Sequence, residues 1–169
     1  MRKRFWLFAF GLAAVVLVGG GVAAVNYARP EAPAQPIAFS HRLHAGDYQM
    51  PCLYCHSYAR RSPVAGVPSV QLCMGCHERN LRTDTPEIQK LKDTWERQEP
   101  IPWIRVYSVP DFVHFNHKRH VRAGVECQAC HGPVETLERV YQVSSLEMGW
   151  CIQCHQQRGA SIDCATCHY

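Results

Sequence analysis

The chain has 169 residues, which fits one small domain plus an appendage, because single domains commonly run about 100 to 200 residues. Its formal net charge of +4 would suit an anionic partner, but the basic residues are scattered and no nucleic-acid-binding motif occurs, which excludes that class. Ten cysteines and ten histidines in so short a chain direct attention to metal or redox chemistry.

At the amino terminus, Arg2-Lys3-Arg4 precedes an uncharged run from Phe5 to Val25, 21 residues or about 31 Å as a helix. That length spans a bilayer. A cleaved signal peptide would have an apolar region of about 7 to 15 residues ending at a small-x-small site, and no Ala-x-Ala stands near the end of this run. The expectation is a permanent anchor over residues 1–27, with its amino terminus in the cytoplasm by the positive-inside rule and the rest of the chain on the periplasmic side. Gly19, Gly20 and Gly21 either admit a neighbouring transmembrane helix or simply face lipid. Residues 28–36 carry a proline at every third position of Arg29-Pro-Glu-Ala-Pro-Ala-Gln-Pro36 and read as an extended, semi-rigid linker.

The remaining domain, residues 37–169, is organised by five copies of Cys-x-x-Cys-His. They are Cys52–Cys55–His56, Cys73–Cys76–His77, Cys127–Cys130–His131, Cys151–Cys154–His155 and Cys164–Cys167–His168, and they consume every cysteine. A zinc knuckle, redox dithiol or short disulfide loop needs no histidine directly after the second cysteine. Chance would place one there five times at odds of about one in a million, whereas attachment of a c-type haem requires it. In that chemistry both thiols add to the porphyrin vinyl groups and the imidazole becomes the proximal iron ligand. Five covalent haems in about 133 residues leave roughly one macrocycle per 26 residues, too little chain to enclose each one separately. The haems are therefore expected to supply much of the core, in a small domain that is mostly irregular and helical. Each ferric haem with neutral axial ligands and ionised propionates adds about −1, which brings the whole to roughly neutral.

An internal repeat, offset by 76 residues, precedes two of the motifs: Phe39-Ser-His41-Arg-Leu-His44 and Phe115-Asn-His117-Lys-Arg-His120. Repeat one covers 37–77, an insert 78–112, and repeat two 113–169. Histidines three apart share one side of a helical turn, so each pair can clamp two adjacent irons. In the insert, Thr85 reads as an N-cap and Pro86 as the first helical residue, with Ile88, Leu91 and Trp95 on one face of a helix ending near Arg97. Trp103 to Tyr107 reads as extended, its aromatics covering a haem edge, a partner subunit or ordinary packing. Val134, Leu137, Val140 and Tyr141 suggest another short helix.

The Phe-x-His-x-x-His pattern followed by a haem motif resembles the small multihaem cytochromes of the c7 and c3 group. The resemblance implies that the first histidine of each pair ligates the haem just downstream and the second the next haem along. His41 would then serve haem I at Cys52 and Cys55, His44 haem II at Cys73 and Cys76, His117 haem III at Cys127 and Cys130, and His120 haem IV at Cys151 and Cys154. Haem V, at Cys164 and Cys167, has two candidate sixth ligands, His114 and Met148. His114 would bring the ten histidines to two per haem, but its counterpart in repeat one is Ala38. By resemblance to three-haem c7 proteins, whose third distal ligand lies just ahead of the corresponding motif, Met148 is preferred.

Longer strings are more specific: Pro100-Ile-Pro-Trp-Ile-Arg-Val106, Pro110-Asp-Phe-Val-His-Phe-Asn-His117, Cys130-His-Gly-Pro-Val-Glu135 and Leu146-Glu-Met-Gly-Trp-Cys151. In this order they resemble the pentahaem membrane-anchored cytochrome c subunit of alternative complex III, apart from His114, where an aromatic residue is expected. The resemblance implies a non-catalytic electron-transfer subunit of a quinol-oxidising respiratory or photosynthetic complex. Its partners would be polytopic quinol-binding membrane subunits, an iron-sulfur and molybdopterin-like subunit, and a monohaem cytochrome c or other acceptor. The alternatives are a stand-alone membrane-anchored multihaem quinol dehydrogenase and a catalytic multihaem reductase. The second normally needs a vacant or unusual axial site, and no such site is visible here.

Overall fold

Cys-x-x-Cys-His segments fold as single helical turns, and these set the texture of the protein. The computed structural model describes residues 11, 13–21, 32–79, 81, 82 and 84–169. Two compact units are present, Met1–Glu31 and Ala32–Tyr169. In the first unit, residues 13–21 are helical and exposed; Arg2 to Arg4 and much of the expected Phe5 to Val25 anchor lie outside the described residues. Among the described residues no helix is long and apolar enough to cross a membrane.

The second unit is helical, irregular and free of strands among its described residues. Its helices are α1 (Cys52–Cys55), α2 (Val70–His77), α3 (Pro86–Glu96), α4 (His117–Arg122), α5 (Gln128–His131), α6 (Met148–Arg158) and α7 (Cys164–Cys167). A π-helical turn spans Arg42–Asp47, and 3-10 turns span Ser57–Arg60 and Val134–Thr136. Three haem motifs are isolated turns, each closed by the histidine amide donating to the first cysteine carbonyl, at 2.8 Å for His56 and 3.0 Å for His131 and His168. The other two sit within α2 and α6. One turn brings two cysteines, three residues apart, to the same side.

The two His-x-x-His segments begin alike. Ser40 Oγ accepts from Leu43 N at 3.1 Å, and its counterpart Asn116 Oδ1 accepts from Arg119 N at 3.4 Å. Such caps satisfy an amide that the first turn leaves without an intrahelical partner. Each segment then leans on the loop that follows the haem motif of the other repeat. Arg42 N donates to Leu137 O at 2.9 Å, while Lys118 N donates to Ser62 O at 3.2 Å. The π-helical turn packs against the Val134–Thr136 turn, and α4 against the Ser57–Arg60 turn. The exchange is reciprocal. Gly46 permits the first approach, since a Cβ there would collide with the Glu135 carbonyl oxygen.

The insert helix forms as its caps require: Thr85 Oγ1 accepts from Ile88 N at 3.3 Å, Pro86 takes the first position and Glu87 the first turn. It packs against α2, and its buried residues are Leu91 and Thr94, whose hydroxyl donates to Lys90 O at 2.8 Å. On the face of Ile88, Leu91 and Trp95, Leu91 is buried while Trp95 remains 37% exposed, and Thr94 beside it is buried. The linker is not a free spacer where it is described. Gln35 exchanges two hydrogen bonds with the Ile104 backbone, at 2.9 and 2.8 Å, and Ala38 N donates to Glu87 at 2.6 Å. The expected helix around Val134 to Tyr141 shrinks to the three-residue 3-10 turn, because Tyr107 draws the following segment away. Among the described residues the only buried hydrophobic side chains are Ala59, Met74 and Leu91. That is far too little protein core to hold a unit of this size together alone.

Candidate haem sites

Four pairs of imidazoles face each other, one ring from a His-x-x-His segment and one from a Cys-x-x-Cys-His turn. His41 and His56 lie 6.5 Å apart between ring centroids with an interplanar angle of 6°, and His117 and His131 lie 6.4 Å apart, also at 6°. His44 and His77 are separated by 6.2 Å at 63°, and His120 and His155 by 6.0 Å at 46°. The first histidine of each repeat is thus parallel to its partner and the second is tilted. Two imidazole–metal bonds of about 2 Å, with about 1.1 Å from each nitrogen to its ring centre, require centroids about 6.2 Å apart. All four pairs meet that spacing.

The Nδ1 atoms explain the ring orientations. His56 Nδ1 donates to Gly66 O at 2.7 Å, His77 to Leu81 O at 3.1 Å, and His155 to Ser161 O at 2.6 Å. In the His-x-x-His segments His44 donates to Ser40 O at 2.8 Å, His120 to Asn116 O at 2.9 Å and His117 to Pro63 O at 2.8 Å. A carbonyl can only accept, so Nδ1 carries the proton in each of these rings and Nε2 keeps its lone pair for a metal. The same bonds fix the ring and raise its basicity as a ligand. His41 departs from the pattern: its Nδ1 is buried without a hydrogen-bond partner. Burial, with the His56 and His44 rings behind it, pushes the His41 pKa down to about 4, so the ring is neutral at ordinary pH. Burial also lowers His131.

A phenylalanine separates the two rings of each clamp. Phe39 stacks on His44 at 4.3 Å and meets His41 edge-on at 4.9 Å. Phe115 repeats this against His120 at 4.5 Å and His117 at 4.7 Å. These rings leave each of the four imidazoles little freedom to turn.

At the fifth motif, His168 Nδ1 donates to Phe112 O at 2.9 Å, and His114 N donates to Cys167 O at 2.8 Å. The His114 ring is exposed and stacks on Tyr169 at 4.4 Å. Met148 opens α6 and is 66% exposed. It stands one helical turn before Cys151, whose thiol is pushed up in pKa by burial and then by the nearby Cys167 thiol.

The cysteines are exposed or half-buried, and none is in a disulfide. Burial raises Cys55, Cys73, Cys127 and Cys130, and in each a thiol of another motif adds to the effect. Among the described residues no three donors converge on one metal-sized centre of the zinc type. The opposed imidazoles beside paired thiols suit the two faces of a covalently bound macrocycle instead.

Sequence reasoning passed over the carbonyl acceptors, which have no residue signature, and the work of Tyr107. Its ring meets His131 edge-on at 4.5 Å, while its hydroxyl donates to Tyr141 O at 3.0 Å and accepts from Val143 N at 3.2 Å. Gly132, directly after His131, holds φ 66° and ψ −167°, where a side chain would be strained and would press on Val143.

The multihaem cytochrome c subunit of a menaquinone reductase from Nitratidesulfovibrio vulgaris is 29% identical over 160 residues, covering 79% of this chain and 76% of that protein. Residues 113–169, which hold α4 to α7 and three of the five motifs, match the family described as cytochrome c7 and related cytochrome c.

Proposed function

We propose that this chain is an electron-transfer subunit of a membrane quinone-linked complex and carries five covalently attached c-type haems. The observation that carries the reading is the set of four imidazole pairs held at iron-spanning distance beside Cys-x-x-Cys-His turns. In it, the ten cysteines form the thioethers and His56, His77, His131, His155 and His168 are the proximal ligands. His41, His44, His117 and His120 are the distal ligands of haems I to IV, and Met148 is that of haem V. Each haem supplies a one-electron iron couple when bound.

The residues of the chain then do three things. Imidazoles facing each other at four of the sites would occupy both axial positions of haems I to IV, and Met148 would close the fifth, so the chain would pass electrons and not transform a substrate. Carbonyl acceptors hold the rings and set their basicity. A thioether at haem V makes that haem more oxidising than its bis-histidine neighbours.

The membrane anchor at 1–27 places the haem domain on the periplasmic side, beside polytopic quinone-binding subunits and an iron-sulfur and molybdopterin-like subunit. A monohaem cytochrome c or another carrier stands at the far end. The direction proposed is quinol oxidation, as the resemblance to alternative complex III implies. A second reading runs the same relay in reverse, and the menaquinone reductase relationship favours it.

The test is gentle detergent extraction with a tag on this chain, mass spectrometry of what is retained, and haem reduction assays on the product. Recovery of polytopic and iron-sulfur partners, with haems reduced by quinol, supports the proposal. Haems oxidised by quinone but not reduced by quinol select the reverse direction. A lone chain that quinol reduces unaided defeats the subunit reading and leaves a stand-alone quinol dehydrogenase.

A further inference from the structure

Resting on the five-haem reading, we infer that the haems form one unbranched wire in the order II–I–III–IV–V, with haems II and V as its ends. This is not the order of the motifs along the chain. Within each repeat, adjacency follows from a single turn carrying both distal ligands: His41 and His44 flank Phe39, and His117 and His120 flank Phe115. That sets I beside II and III beside IV.

The junction between repeats is made by haems I and III. Pro63 O, seven residues beyond the proximal His56, accepts from both the backbone N and Nδ1 of His117, at 3.0 and 2.8 Å. In return, Leu137 O, six residues beyond the proximal His131, accepts from Arg42 N at 2.9 Å, next to His41. Each of these two haems therefore has its distal ligand segment fixed by the loop that leaves the proximal ligand of the other. The haem II motif, on α2, packs instead against α3 of the insert.

At the other end, Ser161 joins IV to V. Its carbonyl accepts from His155 Nδ1 at 2.6 Å, and its hydroxyl shares a 2.8 Å hydrogen bond with Thr166, inside the fifth motif.

The arrangement has a consequence for electron flow. A wire in motif order would make haem I an end, and its loss would leave II to V connected. In the order inferred here, haem I is interior and haem II can exchange electrons with the rest only through it.

Proton NMR of the full holoprotein in detergent tests this, with each haem assigned through the thioether protons of its own cysteines. Cross-relaxation between substituents of haems I and III, together with I–II, III–IV and IV–V peaks, is the expected result. Peaks between haems II and III without any between I and III would overturn the order while leaving the haem reading intact. Absence of five low-spin haem spectra would instead overturn the reading on which the order rests. Gly46→Val, which wedges a side chain against the Glu135 carbonyl, is expected to lose I–III peaks and keep I–II and III–IV peaks. Loss of I–II peaks with I–III retained would again contradict the order.

Discussion

Tyr107→Phe removes one oxygen and keeps the ring, which separates two roles of this side chain. The hydroxyl holds the segment from Tyr141 to Val143 by one donated and one accepted hydrogen bond, at 3.0 and 3.2 Å. The ring meets His131 edge-on at 4.5 Å. Burial raises the phenol pKa, so the group is a neutral donor throughout the working range. A neutral intramolecular hydrogen bond nets about 0.5–1.5 kcal/mol. Val143 is 38% exposed, so water can reach the freed amide. That places the two bonds together at about 1–2 kcal/mol, or a fall of roughly 3–8 °C in Tm. Guanidinium titration of the holoprotein, followed by circular dichroism, should show a lower midpoint at unchanged slope. Potentiometry in parallel should leave the proposed haem III couple in place for Phe. Tyr107→Ala should lower that potential, because water then reaches the His131 side. A stability loss below about 0.3 kcal/mol for Phe would refute the clasp as a stabilising contact. Equal potential shifts for Phe and Ala would refute the separation of roles.

Met148→His should lower the potential of one haem, since a second imidazole replaces a thioether, with haem content unchanged by pyridine haemochrome assay; unchanged potentials would transfer the ligand role to His114. Leu91→Ala, at a buried position of α3 only 5% exposed, should cost about 2–3 kcal/mol in a urea titration and leave haem content intact. Thr85→Ala removes the cap that accepts from Ile88 N and should cost about 0.5–1 kcal/mol in the same titration. Replacing Cys164 and Cys167 together by alanine should reduce the haem count from five to four, and a count that stays at five would sink the attachment assignment.

What could be read in advance was whatever the local chemistry of a few residues dictates. Five Cys-x-x-Cys-His turns announce themselves because covalent attachment needs those atoms at that spacing. The α3 boundaries follow from Thr85, Pro86 and a side chain that must cap. The repeat was legible in Phe39, His41 and His44 against Phe115, His117 and His120, and the ring distances match across it. Two other features were hidden for a physical reason. Carbonyls of Pro63, Gly66, Leu81 and Ser161 belong to the backbone, so any residue could supply them. The helix suggested by Val134, Leu137 and Val140 loses to a tertiary contact, the Tyr107 hydroxyl, 34 residues before Tyr141. Periodicity set Trp95 on one face with Ile88 and Leu91 and gave no sign that Thr94, a polar residue, would be buried.

The reciprocal carbonyl contacts tie folding and electron transfer to one arrangement. Helices of four to eleven residues are too short to persist in water on their own, and the described residues bury only three hydrophobic side chains. Ligand–metal bonds and covalent attachment can provide the missing stabilisation, because binding that exists only in the folded state adds directly to its stability. Such bonds act on single turns, however, and would by themselves leave two separate repeats. Pro63 O on His117 and Leu137 O on Arg42 join them, and both contacts lie at the two His-x-x-His segments rather than on remote surface. The same hydrogen bonds thus hold the halves together and, in the proposed haem order, lie on either side of the I–III junction. A substitution that loosens them should therefore change stability and inter-haem coupling together, whereas one in α3 should change stability alone.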